Sequence, residues 1–112
     1  MKFNELKIQK NILRALREAG YEQPTPIQQK AIPPVLAGRD VLGCAQTGTG
    51  KTCAFSVPII QRLCRTEGKS GTVRALILTP TRELALQIYE NVCQYARYTS
   101  CTCAVIYGGV SQ

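Results

Sequence analysis

The sequence predicts an α/β fold in which a parallel sheet is flanked by helices. Two observations carry that expectation. Three short apolar runs, at 40–44, 73–79 and 102–107, read as buried strands, and the segments between them have helical character. Strand, loop and helix also follow one another in the order that a parallel crossover requires.

Ahead of the first run, residues 9–19 place Ile12, Leu13, Leu16 and Ala19 on one helical face, and Gly20 stands where that helix would end. A second helix start falls at Thr25, with Pro26 at a suitable first position and Gln28 three residues after the cap. Pro33-Pro34 is expected to interrupt it, and Gly38-Arg39-Asp40 to turn the chain into the first strand. That strand is Asp40-Val41-Leu42-Gly43-Cys44. Residues 51–63 are apolar enough to form the next helix, which Pro58 is expected to kink or to limit in its first segment. A polar connector at 65–72, with Gly68, Ser70 and Gly71, leads to the second strand at 73–79. Leu84, Ile88 and Val92 then recur at four-residue spacing, with Ala85, Tyr95 and Ala96 widening the stripe of a long helix. The third strand follows, closed by Gly108-Gly109.

At 112 residues the chain amounts to one small domain. Apolar residues make up 45% and charged residues 19%, which argues against disorder. No apolar run is long enough to span a bilayer, and Met1-Lys2-Phe3-Asn4-Glu5 lacks a signal peptide's apolar region, so the expectation is a cytoplasmic location with no membrane partner. The net charge of +7, from 14 basic and 7 acidic residues, would attract a polyanion. That charge is diffuse, and its densest cluster, Arg62, Arg65 and Lys69, reads as a solvated surface. Six cysteines, at 44, 53, 64, 93, 101 and 103, form no paired C-x-x-C, and there is no histidine to complete a zinc site. They read as small apolar residues in a reducing compartment, Cys101 and Cys103 alternating along one strand face.

Residues 45–52 read Ala-Gln-Thr-Gly-Thr-Gly-Lys-Thr, a loop suited to cradling phosphates. Several backbone N–H donors must converge on phosphate oxygens at a helix N-terminus, and small residues let the main chain come that close. Gly48 and Gly50 supply that freedom, Lys51 reaches the outer phosphates as a point charge, and the Thr52 hydroxyl suits a Mg2+ ion bridging them. Ala45 stands where the pattern usually has its first glycine. In a parallel α/β sheet, ligands bind beyond the carboxyl ends of the strands. This loop, Pro80-Thr81-Arg82-Glu83 and Gly108-Gly109 all fall at that edge.

Three stretches together resemble the DEAD-box RNA helicase family. Phe3 with Gly20-Tyr21-Glu22-Gln23-Pro24-Thr25-Pro26-Ile27-Gln28 resembles the family's Q motif. Ala45 to Thr52 is similar to its phosphate loop, which commonly begins with alanine. Pro80-Thr81-Arg82-Glu83-Leu84-Ala85 is similar to its next motif, and Gly108-Gly109 to the glycine pair after that.

The resemblance implies a partial RecA-like P-loop domain, truncated after about three strands, with a Q-motif region at 1–38 and the start of the ATP-binding domain at 39–112. It implies ATP with Mg2+ as cofactors. Phe3, Tyr21, Pro24, Thr25, Gln28, Gln46, Thr47, Gly48, Thr49, Gly50, Lys51 and Thr52 would hold the nucleotide; Lys51 and Thr52 would serve catalysis, and Thr52 the metal. Gln28 would select adenine, Phe3 would cover its face, and Thr25 would orient Gln28. Pro80, Thr81, Arg82, Gly108 and Gly109 would meet an RNA backbone, without sequence preference. From the residues alone, Gln28 could equally complete a capping box with Thr25, Phe3 could be a core anchor, and the glycine pair a turn.

Phosphoryl transfer to water also needs carboxylates that organise the metal and the attacking water. Asp40 is the only aspartate and no two acidic residues are adjacent, so the Asp-Glu-Ala-Asp motif that names the family is absent, as are its Ser-Ala-Thr motif and second helicase domain. The expectation is that this chain by itself has no meaningful ATPase or unwinding activity, and that the helicase function belongs to a parent protein. Open strand edges would leave it marginally stable or self-associating. Two further readings stand beside this one. The chain could be a non-catalytic adenine-nucleotide or RNA-binding module, or a small P-loop kinase, which would leave the Phe3-to-Gln28 and Pro80-to-Ala85 elements without a purpose.

Overall fold

Helix α3 (Lys51–Arg65) is the centre around which the other elements pack, as seen in a computed structural model that describes residues 2–43, 50–66 and 72–106. A 3-10 turn at Phe3–Leu6, α1 (Lys10–Glu18) and α2 (Pro26–Leu36) precede it, and α4 (Arg82–Tyr95) follows. Helix α2 packs on α3, α3 on α4, α1 on α4, and the 3-10 turn on α2. This arrangement explains why α3 buries Cys53, Ala54, Ser56, Val57, Pro58, Ile60 and Gln61, more than a single amphipathic stripe would.

The caps are local and sequence-encoded. Helix α1 buries Ile12, Ala15 and Leu16, and it ends where Gly20 takes a φ of 91°. There Gly20 N–H donates to Arg17 O at 3.1 Å and Tyr21 N–H to Leu16 O at 3.0 Å, the paired bonds of a Schellman motif. The left-handed turn lets Tyr21 pack back against the core beside Leu16. Helix α2 starts at Thr25 as N-cap with Pro26 in its first turn, and the same two-bond pattern ends it at Gly38.

One hydrophobic cluster joins Phe3, Leu6, Ile8, Ile12, Leu16 and Ile32 to Cys53, Val57, Ile60, Tyr95 and Ala96. Residues from both 1–38 and 39–112 therefore share a core. Each fully buried Ile or Leu in it contributes about 1.5–3 kcal/mol of transfer free energy.

The expectations that Pro33-Pro34 interrupts α2 and that Pro58 limits the first segment of α3 need correction. Helix α2 continues through Pro33 and Pro34 to Leu36, and α3 runs unbroken through Pro58 to Arg65. Each proline costs a backbone hydrogen bond to the carbonyl four residues earlier. Pro33 and Pro34 lie in the last turns of α2 and are not buried, so water can satisfy the carbonyls they free. Pro58 is buried, and its packing in the centre of the molecule offsets the lost bond.

The sheet is the larger difference. Among the described residues none forms a β-ladder: 40–43, 73–79 and 102–106, the described parts of the expected strands, have no regular secondary structure. A helix satisfies its backbone within one segment, whereas every ladder bond of a strand needs a neighbouring segment in register. Their apolar side chains are correspondingly uncovered, with Leu42 at 95%, Val73 at 85% and Leu78 at 84% exposure.

Candidate functional site

The N-terminus of α3 is where sequence-predicted residues from two distant stretches meet. Gly50 is its N-cap, with φ 87° and ψ 25°, a left-handed conformation that strains any residue carrying a Cβ. The Gly50 carbonyl oxygen accepts the first helical bond from Ala54 N–H at 3.1 Å and a second bond from Gln28 Nε2 at 3.2 Å. At its other end the Gln28 amide accepts from Thr25 N–H, Oε1 lying 2.9 Å away. A Cβ on Gly50 would stand 2.3 Å from Gln28 Nε2 and 3.1 Å from Thr25 Oγ1, so glycine is required by space as well as by backbone angle.

Gln28 thus does two structural jobs at 0% exposure. Thr25 and Gln28 occupy the N-cap and N3 positions of a capping box, and the glutamine's half of it closes on the Thr25 N–H. The Thr25 hydroxyl is buried beside Gly50.

Lys51 and Thr52 fall in the first turn of α3, Lys51 exposed and Thr52 half-buried. The first N–H groups of a helix have no intrahelical acceptor, and the macrodipole favours negative charge there. Backbone donors, an exposed ammonium and a hydroxyl therefore converge at one helix end that is closely packed only through a glycine. That set fits a phosphate group. Gln46, Thr47, Gly48 and Thr49 lie outside the described residues, as do Gly108 and Gly109.

Phe3, Tyr21 and Pro24 occupy the other side of the Q-motif stretch. Phe3 is buried and meets Tyr21 edge to face, with ring centroids 6.3 Å apart. Tyr21 in turn lies edge-on to Tyr95 at 5.8 Å, and the two hydroxyls are 2.8 Å apart. Burial, and then the Tyr21 hydroxyl, raise the Tyr95 phenol well above the usual tyrosine range. Pro24 is buried, and its carbonyl accepts from Gln29 Nε2 at 3.0 Å. In this arrangement Phe3 and Tyr21 serve the core that backs the site.

Pro80, Thr81 and Arg82 open α4 and are all exposed. Thr81 is the N-cap, its Oγ1 accepting from Leu84 N–H at 3.2 Å, and Glu83 sits in the acid-favouring first turn. A second helix N-terminus thus carries predicted binding residues, with a basic side chain at its first position.

Gln61 was not singled out by sequence reasoning, yet it matters to the site's support. Fully buried, it accepts from Gln9 N–H through Oε1 and donates to Lys7 O through Nε2, both at 2.8 Å. These bonds tie the far half of α3 to the N-terminal segment, where Lys7 takes a φ of 63°. The signal that could have revealed it is a polar residue within the otherwise apolar set Val57, Ile60 and Cys64. Cys53, on the first turns of the same helix, is wholly buried and its thiol is pushed up to about 12 by that burial, so it acts as packing and not as a nucleophile.

Comparison with known proteins agrees with this geometry. The DEAD/DEAH box helicase family matches residues 25–112. The chain is 50% identical over 110 residues to the ATP-dependent RNA helicase SrmB of Escherichia coli, covering 97% of this chain and 25% of that protein. It is 48% identical over 109 residues to the DEAD-box ATP-dependent RNA helicase RhpA of Helicobacter pylori, covering 97% of this chain and 21% of that protein. The crystal structure of the RNA helicase Prp28 from Chaetomium thermophilum bound to ADP superposes with a TM-score of 0.89 at 39% identity, over 98% of this chain and 27% of Prp28. A DEAD box protein from Methanococcus jannaschii superposes equally well, with a TM-score of 0.89 at 41% identity over 99% of this chain and 30% of that one. The chain spans about a fifth to a quarter of these curated relatives. With Thr25, Gln28 and Gly50 brought together at the head of α3 and these matches running the length of the chain, it belongs to the DEAD/DEAH box helicase family.

Proposed function

We propose that this chain supplies the adenine-nucleotide site and part of the RNA-backbone site of an ATP-dependent RNA helicase. The observation that carries the nucleotide reading is the Gln28 amide, fixed between Thr25 N–H and Gly50 O, which links the Q-motif helix to the last glycine of the phosphate loop. A carboxamide has two N–H groups and two acceptor lone pairs. One of each is used here, so one donor and one acceptor remain, the pair that an adenine edge requires. Because Gln28 is wholly buried, nucleotide binding has to uncover it.

At the phosphates, Lys51 and the free N–H groups of the first turn of α3 would neutralise and orient the outer oxygens, with the Thr52 hydroxyl as a ligand for Mg2+. The metal supplies charge stabilisation when bound; the chain's own part is to hold and align the phosphates. Gln46 to Thr49 would complete the cradle. Pro80, Thr81, Arg82, Gly108 and Gly109 would meet RNA phosphate and sugar, a mode that carries no base sequence information. The three runs at 40–44, 73–79 and 102–107 would pair as a parallel sheet in the parent protein, with 1–38 as the Q-motif region.

Hydrolysis belongs to that parent protein, since no two acidic residues are adjacent in this chain. The test is titration of the 112-residue chain with fluorescent ATP and GTP in Mg2+, alongside phosphate release with and without RNA. ATP should bind in preference to GTP. Lys51→Ala should abolish binding of both, Gln28→Ala should remove the preference, and phosphate release should stay at background. Equal affinity for ATP and GTP, or binding that survives Lys51→Ala, would refute the reading.

A further inference from the structure

Cys64 and Cys101 stand apart from the other cysteines. Cys64 lies in the last turn of α3, Cys101 just after the turn that follows α4, and their sulfur atoms are 3.8 Å apart although 37 residues separate them in the chain. Both are half-buried, so a small oxidant can reach the pair while the surrounding packing keeps the thiols facing each other. A local contact holds the second of them in place: Cys101 N–H donates to Thr99 Oγ1, which itself donates to Ala96 O at the end of α4. Of the remaining described cysteines, Cys53 is sealed in the core, and Cys93 and Cys103 are exposed.

We propose that Cys64 and Cys101 are a reversible redox site, closing to a disulfide when exposed to a low-molecular-weight disulfide and opening again in excess thiol. A disulfide requires sulfurs about 2.0 Å apart. Two thiols already in van der Waals contact approach that distance by side-chain rotation with little backbone movement. One thiolate of the pair attacks the small disulfide, forming a mixed disulfide and expelling one small thiolate. The second attacks the protein sulfur of that mixed disulfide and expels the other. Two protein thiols and one small disulfide thus become one protein disulfide and two small thiols.

The bond would staple the far end of the site-bearing helix to the segment that leads towards Gly108-Gly109. Burial, and then the neighbouring Cys101, raise the Cys64 thiol above its ordinary value, so attack by Cys64 should quicken only as pH rises above the usual cysteine range.

The experiment treats the 112-residue chain with oxidised glutathione, blocks free thiols, digests with trypsin without reduction, and maps linked peptides by mass spectrometry. Cys64 falls in the tryptic peptide 63–65, and Cys101 and Cys103 in 98–112. The expected product is a 63–65 to 98–112 cross-link, several-fold more abundant than any other Cys64 product. It should be reversed by excess reduced glutathione, retained in Cys103→Ser and lost in Cys101→Ser. The melting temperature should rise on oxidation in the unmodified sequence and in Cys103→Ser, and not in Cys64→Ser. Recovery of Cys64 mainly as its glutathione adduct, or a cross-link that persists in Cys101→Ser, would overturn the assignment.

Discussion

Gln28 donates to the Gly50 carbonyl oxygen at 3.2 Å, across 22 residues of sequence, and Gly50 has room for that amide only because it lacks a side chain. Gly50→Ala therefore meets two penalties, a left-handed φ of 87° and a Cβ that would lie 2.3 Å from Gln28 Nε2. We expect a loss of about 2 kcal/mol in urea melts. Gln28→Ala removes two hydrogen bonds and leaves a cavity, at a cost of about 2–3 kcal/mol. The part of the Gly50→Ala penalty that arises against Gln28 should vanish in the double variant. Strict additivity of the two losses would show that the residues do not touch.

Thr81→Ala leaves the Leu84 N–H without its cap, since Thr81 Oγ1 accepts from it at 3.2 Å. The expected loss is about 1 kcal/mol, and Thr81→Ser should restore most of it. Thermal melts followed by circular dichroism would measure both. A Thr81→Ala variant as stable as the parent would exclude the capping role.

Stability should fall in alkali. Cys53 ionises near 9.0 when unfolded but not until about 12 in the fold, because burial opposes its thiolate. Its contribution is fully present below pH 9 and is lost as pH rises towards 12, on the order of 4 kcal/mol at full effect. Tyr95, also raised by burial and by the Tyr21 hydroxyl, adds a loss of the same sign that begins above its ordinary value of 10.0. Denaturant midpoints measured from pH 7 to 11 should decline only at the alkaline end, and Cys53→Ala should flatten the slope. An unchanged slope would remove Cys53 from the explanation.

Exposed apolar side chains at Leu42, Val73, Leu76, Leu78 and Ile106 should make the isolated chain self-associate. Sedimentation velocity should show mass rising with protein concentration, and Val73→Lys with Leu78→Lys should reduce that dependence. A monomer at all concentrations, with a sharp cooperative melt, would contradict this.

The helices were legible because their signals are local. Ile12 and Leu16 recur at helical spacing before Gly20, and Thr25-Pro26 opens α2 as its cap chemistry dictates. The resemblance to the helicase family implied Thr25, Gln28, Gly50, Lys51 and Thr52 as nucleotide contacts, and the structure brings Thr25 and Gln28 onto Gly50 at the head of the helix that carries the other two. What sequence could not show depends on partners far along the chain. The runs at 73–79 and 102–107 have strand composition, but ladder bonds need a neighbour that composition does not name. Pro33, Pro34 and Pro58 were read by their intrinsic cost; packing offsets it at Pro58, and solvent access in the last turns of α2 lowers it at Pro33 and Pro34. Gln61 drew no attention because its acceptor and donor lie more than 50 positions away.

Helix α3 is gripped near each end by an uncharged carboxamide, Gln28 reaching in to Gly50 and Gln61 reaching out to Lys7 and Gln9. Neither grip carries a charge, so neither ionic strength nor titration near neutrality acts on it directly. The ion pair of Arg14 with Glu18 lies on the exposed surface of α1. The molecule therefore separates two duties: its net charge of +7 is left to respond to counterions, while the orientation of α3 is held by neutral chemistry beneath.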